Sequence, residues 1–438
     1  MTGELTAQVC VVGGGPAGLT LAVELAKRSV SVVVLEKSAT FDRSFRGESI
    51  SPDSVWLFDR LGLLDRLEGE YVPMRRMEIV DGGRAVLRAD FADFPYPQPF
   101  PVELPQPALL SALAAMGEEL PGFTLLRAST AAGLVRDKGG PVTGVRATTP
   151  DGEVTVRAKL TVAADGRFSK VRALSGLPFT KLPLERDVVW LKLPMPDAWD
   201  DATYRIRIDG DQHGLFIPTR PDSVRVGFNI PKGGFKELRA QGLPALHERI
   251  ARLAPELADT VRRSVLSWSD ASMLDIFTTV APRWSMPGLT LIGDAAHTLT
   301  PILGQGVNHA VIDAVTLAPL LSHTFAEGGD VVELLRASEE FQLAREKSVS
   351  RSRSLQLRQE RLFALHGAAS GSFRRLLYRC VDGNRSLKRR ALAGAYFQLQ
   401  RPLTSERRAA LGALRSWRGT AAASSLRGAP SERGQRPR

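Results

Sequence analysis

Apolar positions along the chain fall into patterns that predict different elements. VCVV, Val9 to Val12, is an unbroken apolar run; a glycine cluster, the helix-spaced stretch LTLAVELAKR and a second apolar run, SVVVLE, ending at Glu36, follow it. Short unbroken runs predict strands buried on both faces, and 3.6-residue spacing predicts a helix, so the segment reads strand, turn, helix, strand. From Gly288 to Ala318 the logic recurs, with a strand Leu289 to Ile292, a tip at Gly293 and Asp294, a Pro-Gly loop and a helix beginning near Gly306. Between these units ATYRIRIDG, QHGLFIPT and DSVRVGFNI alternate with period two, which predicts an antiparallel or mixed sheet. Helical material from about Phe235 through Val265 should pack outside that sheet, and the Pro-rich stretch Phe91 to Pro107 reads as extended or turning chain. The order of the patterns predicts a discontinuous α/β domain from residues 1–74, 100–180 and 270–344. Residues 75–99 and 181–269 would build a second, sheet domain.

The first turn carries a chemical prediction. Gly13 lets the chain turn sharply out of the strand, Gly15 lets backbone approach a pyrophosphate, and Gly18 lets the helix pack on the strand. Pro16 and Ala17 open that helix, whose amides and dipole favour phosphate charge. Glu36 closes the second strand, with Lys37 beside it, and can accept both ribose hydroxyls of an adenosine. FAD or NAD fits such a carboxylate; a 2′-phosphate would be repelled.

Composition bounds the class. The chain has 438 residues, 43% of them hydrophobic, enough for one large core or two. No apolar run of about eighteen residues could cross a bilayer. Met1 to Gln8 leads directly into the first strand, and the two cysteines, Cys10 and Cys380, form no ligand cluster, so the chain reads as cytoplasmic, reduced and free of metal. The net charge of +11 is uneven: twenty-two Lys and Arg against five acids lie from Arg345 onward, so that segment carries +17 and the remainder −6. Residues 345–423 read as basic amphipathic helices lying on the body or on an anionic membrane face, and 424–438 as a disordered tail. Nucleic-acid binding is disfavoured, since no recognition module accompanies the charge.

Three motifs carry a family resemblance. They are Gly13, Gly15 and Gly18; Asp165, Gly166, Ser169 and Arg172 as DGxxSxxR; and GDAAHxxxPxxGxGxN, intact from Gly293 to Asn308. In these the chain resembles the FAD-dependent aromatic hydroxylases, the single-component flavoprotein monooxygenases of the p-hydroxybenzoate hydroxylase type. The resemblance implies a Rossmann-like FAD-binding domain with an interleaved antiparallel or mixed-sheet substrate domain and a helical C-terminal region. It further implies that Asp294 binds a ribityl hydroxyl, that Gly306, Val307 and Asn308 face the N1 and O2 edge of the flavin, and that Pro301 and Gly304 shape the loop beside it. Arg46 would reach the pyrophosphate, Gln106 would touch the flavin, and Asp165 would serve FAD and a transient nicotinamide.

The implied chemistry is reduction of bound FAD by NADH or NADPH, formation of a flavin hydroperoxide, and hydroxylation or epoxidation of an electron-rich ring. The FDRSFRGESISPDS stretch resembles a bacterial subgroup, several of whose members act on polyketide, quinone or quinolone rings. The expected substrate is therefore a lipophilic bicyclic or polycyclic aromatic of secondary metabolism, including antibiotic biosynthesis, and the expected assembly is a monomer or homodimer. No catalytic base is identified: His213 and His297 are the histidines placed near the pocket, and Trp190, Tyr204, Phe216 and Phe228 are candidates to line it. A flavin-dependent halogenase is disfavoured because HGLFIP stands where that group has WxWxIP. A polyprenyl reductase and a non-enzymatic flavin sensor remain as alternatives.

Overall fold

A computed structural model describes residues 3–42, 48–137, 139–365 and 367–403. Two sheets organise it. The first has eight strands, and its parallel centre runs Leu289–Leu291, Gly152–Ala163, Gly3–Val12, Val32–Leu35 and Phe123–Leu126. Val-rich runs suit this position because the central strands are buried on both faces. Helix α1 (Pro16–Ala26) is apolar nearly all round and buried accordingly. Helix α2 (Pro52–Leu61) starts where Ser51 Oγ accepts from the Ser54 amide and stops at Gly62, which is left-handed at φ 77°. Helices α3 (Gln106–Glu118) and α4 (Lys170–Ser175) complete this part.

The second sheet has seven strands in the order Ala271–Leu274, Arg186–Pro194, Ser223–Pro231, Gln212–Thr219, Thr203–Asp209, Arg76–Asp81 and Arg84–Asp90. All its pairings are antiparallel except the one joining Thr203–Asp209 to Arg76–Asp81. Helices α5 (Phe235–Ala240), α6 (Leu243–Leu253) and α7 (Ala258–Ser264) follow it, and Leu246, Ile250 and Val261 of the latter two pack on Val189, Phe216 and Phe228. Because side chains alternate across a strand, Trp190 and Tyr204 lie on the other face, in a separate apolar cluster.

Four helices close the chain: α8 (Gln305–Ala326), α9 (Val331–Ala364), α10 (Ala368–Gly383) and α11 (Arg385–Tyr396). An Asp330/Glu333 capping box starts α9. Two expected boundaries are corrected. Ala271–Leu274 hydrogen-bonds to Arg186–Pro194 and so joins the second sheet, moving the boundary drawn at 270. The boundary drawn at 345 falls inside α9, whose buried face runs on from Leu334 through Phe341 and the buried Arg345 to Val349. No helix among the described residues is long and apolar enough to cross a membrane. Residues 404–438, including the tail from 424, lie outside the described residues.

Candidate active site

The parallel strands of the first sheet end together at Val12, Leu35, Ala163 and Leu291, the edge where open α/β sheets place ligands. The three glycines at that edge have different causes. Gly13 sits at φ 108°, and a Cβ there would lie 2.4 Å from the Ala164 carbonyl oxygen; one on Gly18 would lie 1.9 Å from the Gly13 oxygen. Both are demanded by packing. At Gly15 a Cβ would meet nothing within 4 Å, so that position faces open space at the start of α1. The first turn of α1 has neither a side-chain cap nor an acidic residue, leaving its positive end for an outside group. Pro16 opens α1 and Ala17 is buried in it. Glu36 is buried and accepts from the Gly14 amide at 2.7 Å and the Ser38 amide at 2.9 Å, while Lys37 is exposed. Arg46 lies outside the described residues.

The second tip packs against the first. Gly293 at φ 57° brings its Cβ position within 3.2 Å of Ala17 Cβ and 3.4 Å of Ala310 Cβ. Asp294 stands partly exposed at the tip, 3.8 Å from Arg167 Nε. Asp165 accepts from Ser169 Oγ and the Val171 amide, Ser169 Oγ accepts from the Arg172 amide, and Arg172 donates to the Ala295 carbonyl at 2.7 Å. The DGxxSxxR residues thus brace the GD tip from behind. Beyond Pro301, Leu303 and Gly304 both take left-handed φ, near 65° and 60°, and deliver the uncapped start of α8. Asn308 Oδ1 accepts from the Ser51 amide at 2.8 Å, and its Nδ2 donates to Ser49 and Gly304 carbonyls, tying α8 to the Ser49–Ile50 strand. A Cβ on Gly306 would have only Asp294 Oδ1 near it, at 4.0 Å. Val307 is half-buried, and Gln106 is buried as the first residue of α3. The motifs therefore meet at one edge, with uncapped helix starts and open glycine surfaces of the kind that pyrophosphate and a flavin edge require.

Under α8 runs a buried polar chain. Asp313 accepts from the Gly293 amide, from Arg345 Nε at 2.7 Å and lies 2.7 Å from His297 Nε2. Arg345 reaches His309 Nδ1, whose ring turns its Nε2 to Ser352 Oγ. His297 and Arg345 hold the Asp313 carboxyl well below the usual carboxylate range against burial, and burial with the Arg345 charge holds His309 well below its ordinary value. His297 is thus bound into the scaffold.

A cavity of about 330 Å³ opens from the α8 start onto the inner face of the second sheet. Trp190, Tyr204 and His213 line it, whereas Phe216 and Phe228 point to the opposite face, against α6 and α7, and do not. At the α8 end Tyr204 donates to Glu103 Oε1 at 2.7 Å, and Arg225 Nη1 stands 3.4 Å from Glu103 Oε2 and 3.4 Å from Glu48 Oε2. Burial pushes the Glu103 carboxyl up to about 7, against the opposing pull of Arg225, Ser49 and Tyr204. Glu103 was not among the candidates; its one signal in sequence is a lone acid inside PFPVELP. Also missed were the cavity's far walls: Leu355 and Phe363 of α9, Leu377 and Tyr378 of α10, and Leu392 and Tyr396 of α11.

Comparison with known proteins agrees with this geometry. Residues 6–352 match the family model described as FAD binding domain. Over 318 residues the chain is 40% identical to 6-methylpretetramide 4-monooxygenase of Streptomyces rimosus, covering 72% of this chain and 74% of that one. It is 31% identical to dialkyldecalin synthase of Streptomyces rugosporus over 72% of this chain and 65% of that protein. The crystal structure of P. aeruginosa PqsL in complex with 2-aminobenzoylacetate superposes with a TM-score of 0.72 at 22% identity, covering 86% of this chain and all of that one. The chain belongs to the FAD-binding-domain family and is an FAD-dependent aromatic monooxygenase.

Proposed function

We propose that the protein uses NADH or NADPH and O2 to hydroxylate a lipophilic multi-ring aromatic compound, of phenol, quinone or quinolone type, in secondary metabolism. The observation that carries this is the apolar cavity that begins at the α8 start and extends along the second sheet. In this reading Gly15 and the start of α1 hold the pyrophosphate, Glu36 fixes the adenosine end, and Asp294 with Gly306, Val307 and Asn308 holds the flavin. The bound flavin supplies two-electron reduction and oxygen activation. The protein's own work is to exclude water, hold the ring beside the α8 start, and present Tyr204 with its Glu103 partner to a phenolic proton. The relative that acts as 6-methylpretetramide 4-monooxygenase supports a polycyclic substrate.

The test is to purify the FAD-bound protein and screen bicyclic and tricyclic phenols, quinones and quinolones for stimulated NADH or NADPH oxidation. Products are analysed by mass spectrometry under 18O2. A product one labelled oxygen heavier supports the reading; no stimulation by any ring compound overturns it. The likeness to a dialkyldecalin synthase favours a second reading, in which the flavin domain shapes a pocket for ring closure. A product of unchanged mass, formed without nicotinamide, would establish that instead.

A further inference from the structure

Helix α10 inverts the usual burial of a surface helix. Its inward face is anchored by a charge: Arg374 pairs with Asp81, both side chains buried, and one turn on the Tyr378 hydroxyl accepts from Gln359. Its outward face is apolar. Phe373, Leu376, Leu377 and Cys380 stand at the i, i+3, i+4, i+7 spacing of one helical face, and all four are exposed, Phe373 at 60% and Leu376 at 61%. Leu387, near the start of α11, is exposed as well. A single exposed leucine is ordinary on a protein surface, whereas a contiguous apolar stripe rimmed by polar groups marks a contact site.

The charge around the stripe says what covers it. From Ala368 to Leu403 the sequence holds eight Lys and Arg and one acid, a net +7. That acid, Asp382, is held by Lys388 and by the Arg88 amide. Arg379 and Arg390 each lie three residues beyond an exposed leucine, Leu376 and Leu387, and both are exposed and make no ion pair among the described residues. A second copy of this face would bring +7 against +7. Residues 404–438 carry eight basic residues and two acids, so the chain's own end is repelled in the same way. An anionic lipid surface meets both features at once: apolar side chains enter between the headgroups while guanidinium groups reach the phosphates. Because the residues before Arg345 carry −6, the field of the molecule turns this face toward such a surface and the rest away from it.

We propose that the outward face of α10, with the exposed start of α11, docks the protein on an anionic membrane surface. Leu377, Tyr378 and Val381 of the same helix also line the cavity, so docking sets the cavity wall beside an apolar phase in which a lipophilic compound accumulates. That consequence rests on the lipophilic reading above; the docking does not.

The test is cosedimentation of the FAD-bound full chain with vesicles of phosphatidylcholine alone or with about 30% phosphatidylglycerol, at about 0.1 M salt. The wild type should pellet with the anionic vesicles and stay in solution with the neutral ones. Phe373→Ser/Leu376→Ser keeps every charge yet should bind the anionic vesicles about tenfold or more weakly. Arg379→Glu/Arg390→Glu should lose about tenfold or more as well. None of these four side chains lines the cavity, so FAD content and melting temperature should match wild type and show that the variants fold. Cys10 is buried, so a polarity-sensitive fluorophore attaches at Cys380, and its emission should move to shorter wavelength on the anionic vesicles. A wild type that ignores both kinds of vesicle leaves the stripe to a protein partner and overturns the proposal. A serine variant that pellets like wild type overturns it too, since charge alone then suffices. An unshifted Cys380 probe on pelleted protein also overturns it, by placing the contact elsewhere on the chain.

Discussion

At the scale of single residues, the space around each motif glycine separates a packing role from a ligand-facing one. Gly13, Gly15 and Gly18 are equivalent in sequence, yet a Cβ on two of them would strike backbone oxygen and on the third would enter open space. Gly15→Val should therefore leave the FAD-free protein within about 1 kcal/mol of wild type in urea unfolding, while FAD is no longer retained through gel filtration. Gly18→Ala should destabilise the FAD-free protein by upwards of about 3 kcal/mol, since helix and strand must move apart. Equal stability losses in both variants would show that Gly15 serves packing and not the cradle. These positions were legible because spacing alone marks them. Glu103 was not, because its partners Tyr204 and Arg225 lie 101 and 122 residues away in the chain. His213 and His297 were both placed near the pocket, by strand and by motif, and nothing local says that of the two His213 alone lines the cavity.

At the scale of elements, punctuation by Gly and Pro made the start of α8 readable, and period two made the second sheet readable. The short Val102–Glu103 strand was hidden in a Pro-rich stretch, yet it pairs with Ser49–Ile50 and Val72–Pro73 and so fixes the polar corner of the cavity. Its carboxyl gives a prediction about pH. Folding raises the Glu103 value from 4.5 to about 7, so the folded state prefers the protonated form. For an acid raised in this way the contribution to stability is full below 4.5 and is lost as pH rises through about 7, an effect on the order of 3 kcal/mol. Glu103→Gln cannot ionise, so the stability gap between wild type and variant should move in the variant's favour from pH 5 to pH 8. Urea midpoints at those two pH values measure it, and a gap that stays constant would refute an ionising Glu103. Boundaries were less legible than elements: α9 crosses the place where charge composition changes because its buried face continues through it, with Arg345 held inside by Asp313 and His309.

At the scale of the whole molecule, the basic C-terminal region was read by its charge, but its place is set by a few buried anchors. Arg374 pairs with Asp81 at 2.7 Å with both side chains buried, holding α10 to the second sheet. Asp53, at the start of α2, accepts from the amides of Gln398, Leu399 and Gln400 and from Gln400 Nε2, holding the chain just past α11 to the first sheet's side. Between these anchors α10 and α11 wall the cavity, with Ala395 and Tyr396 facing it. No periodicity announces such a link, because residues 53 and 398 are joined through one carboxylate. If that wall keeps water from the reacting ring, Asp53→Ala should loosen it, leaving buried amides unpaired. The expected result, with a substrate found by the screen above, is a several-fold rise in hydrogen peroxide released per NADH or NADPH consumed and a matching fall in hydroxylated product. FAD content should be unchanged, and trypsin should cut the Arg-rich helices sooner. Arg385→Ala serves as the control, since its pair with Asp93 is exposed and worth little. Coupling and trypsin resistance that match wild type in Asp53→Ala would refute this anchor. Coupling that fell equally in both variants would point instead to the surface charge of α11.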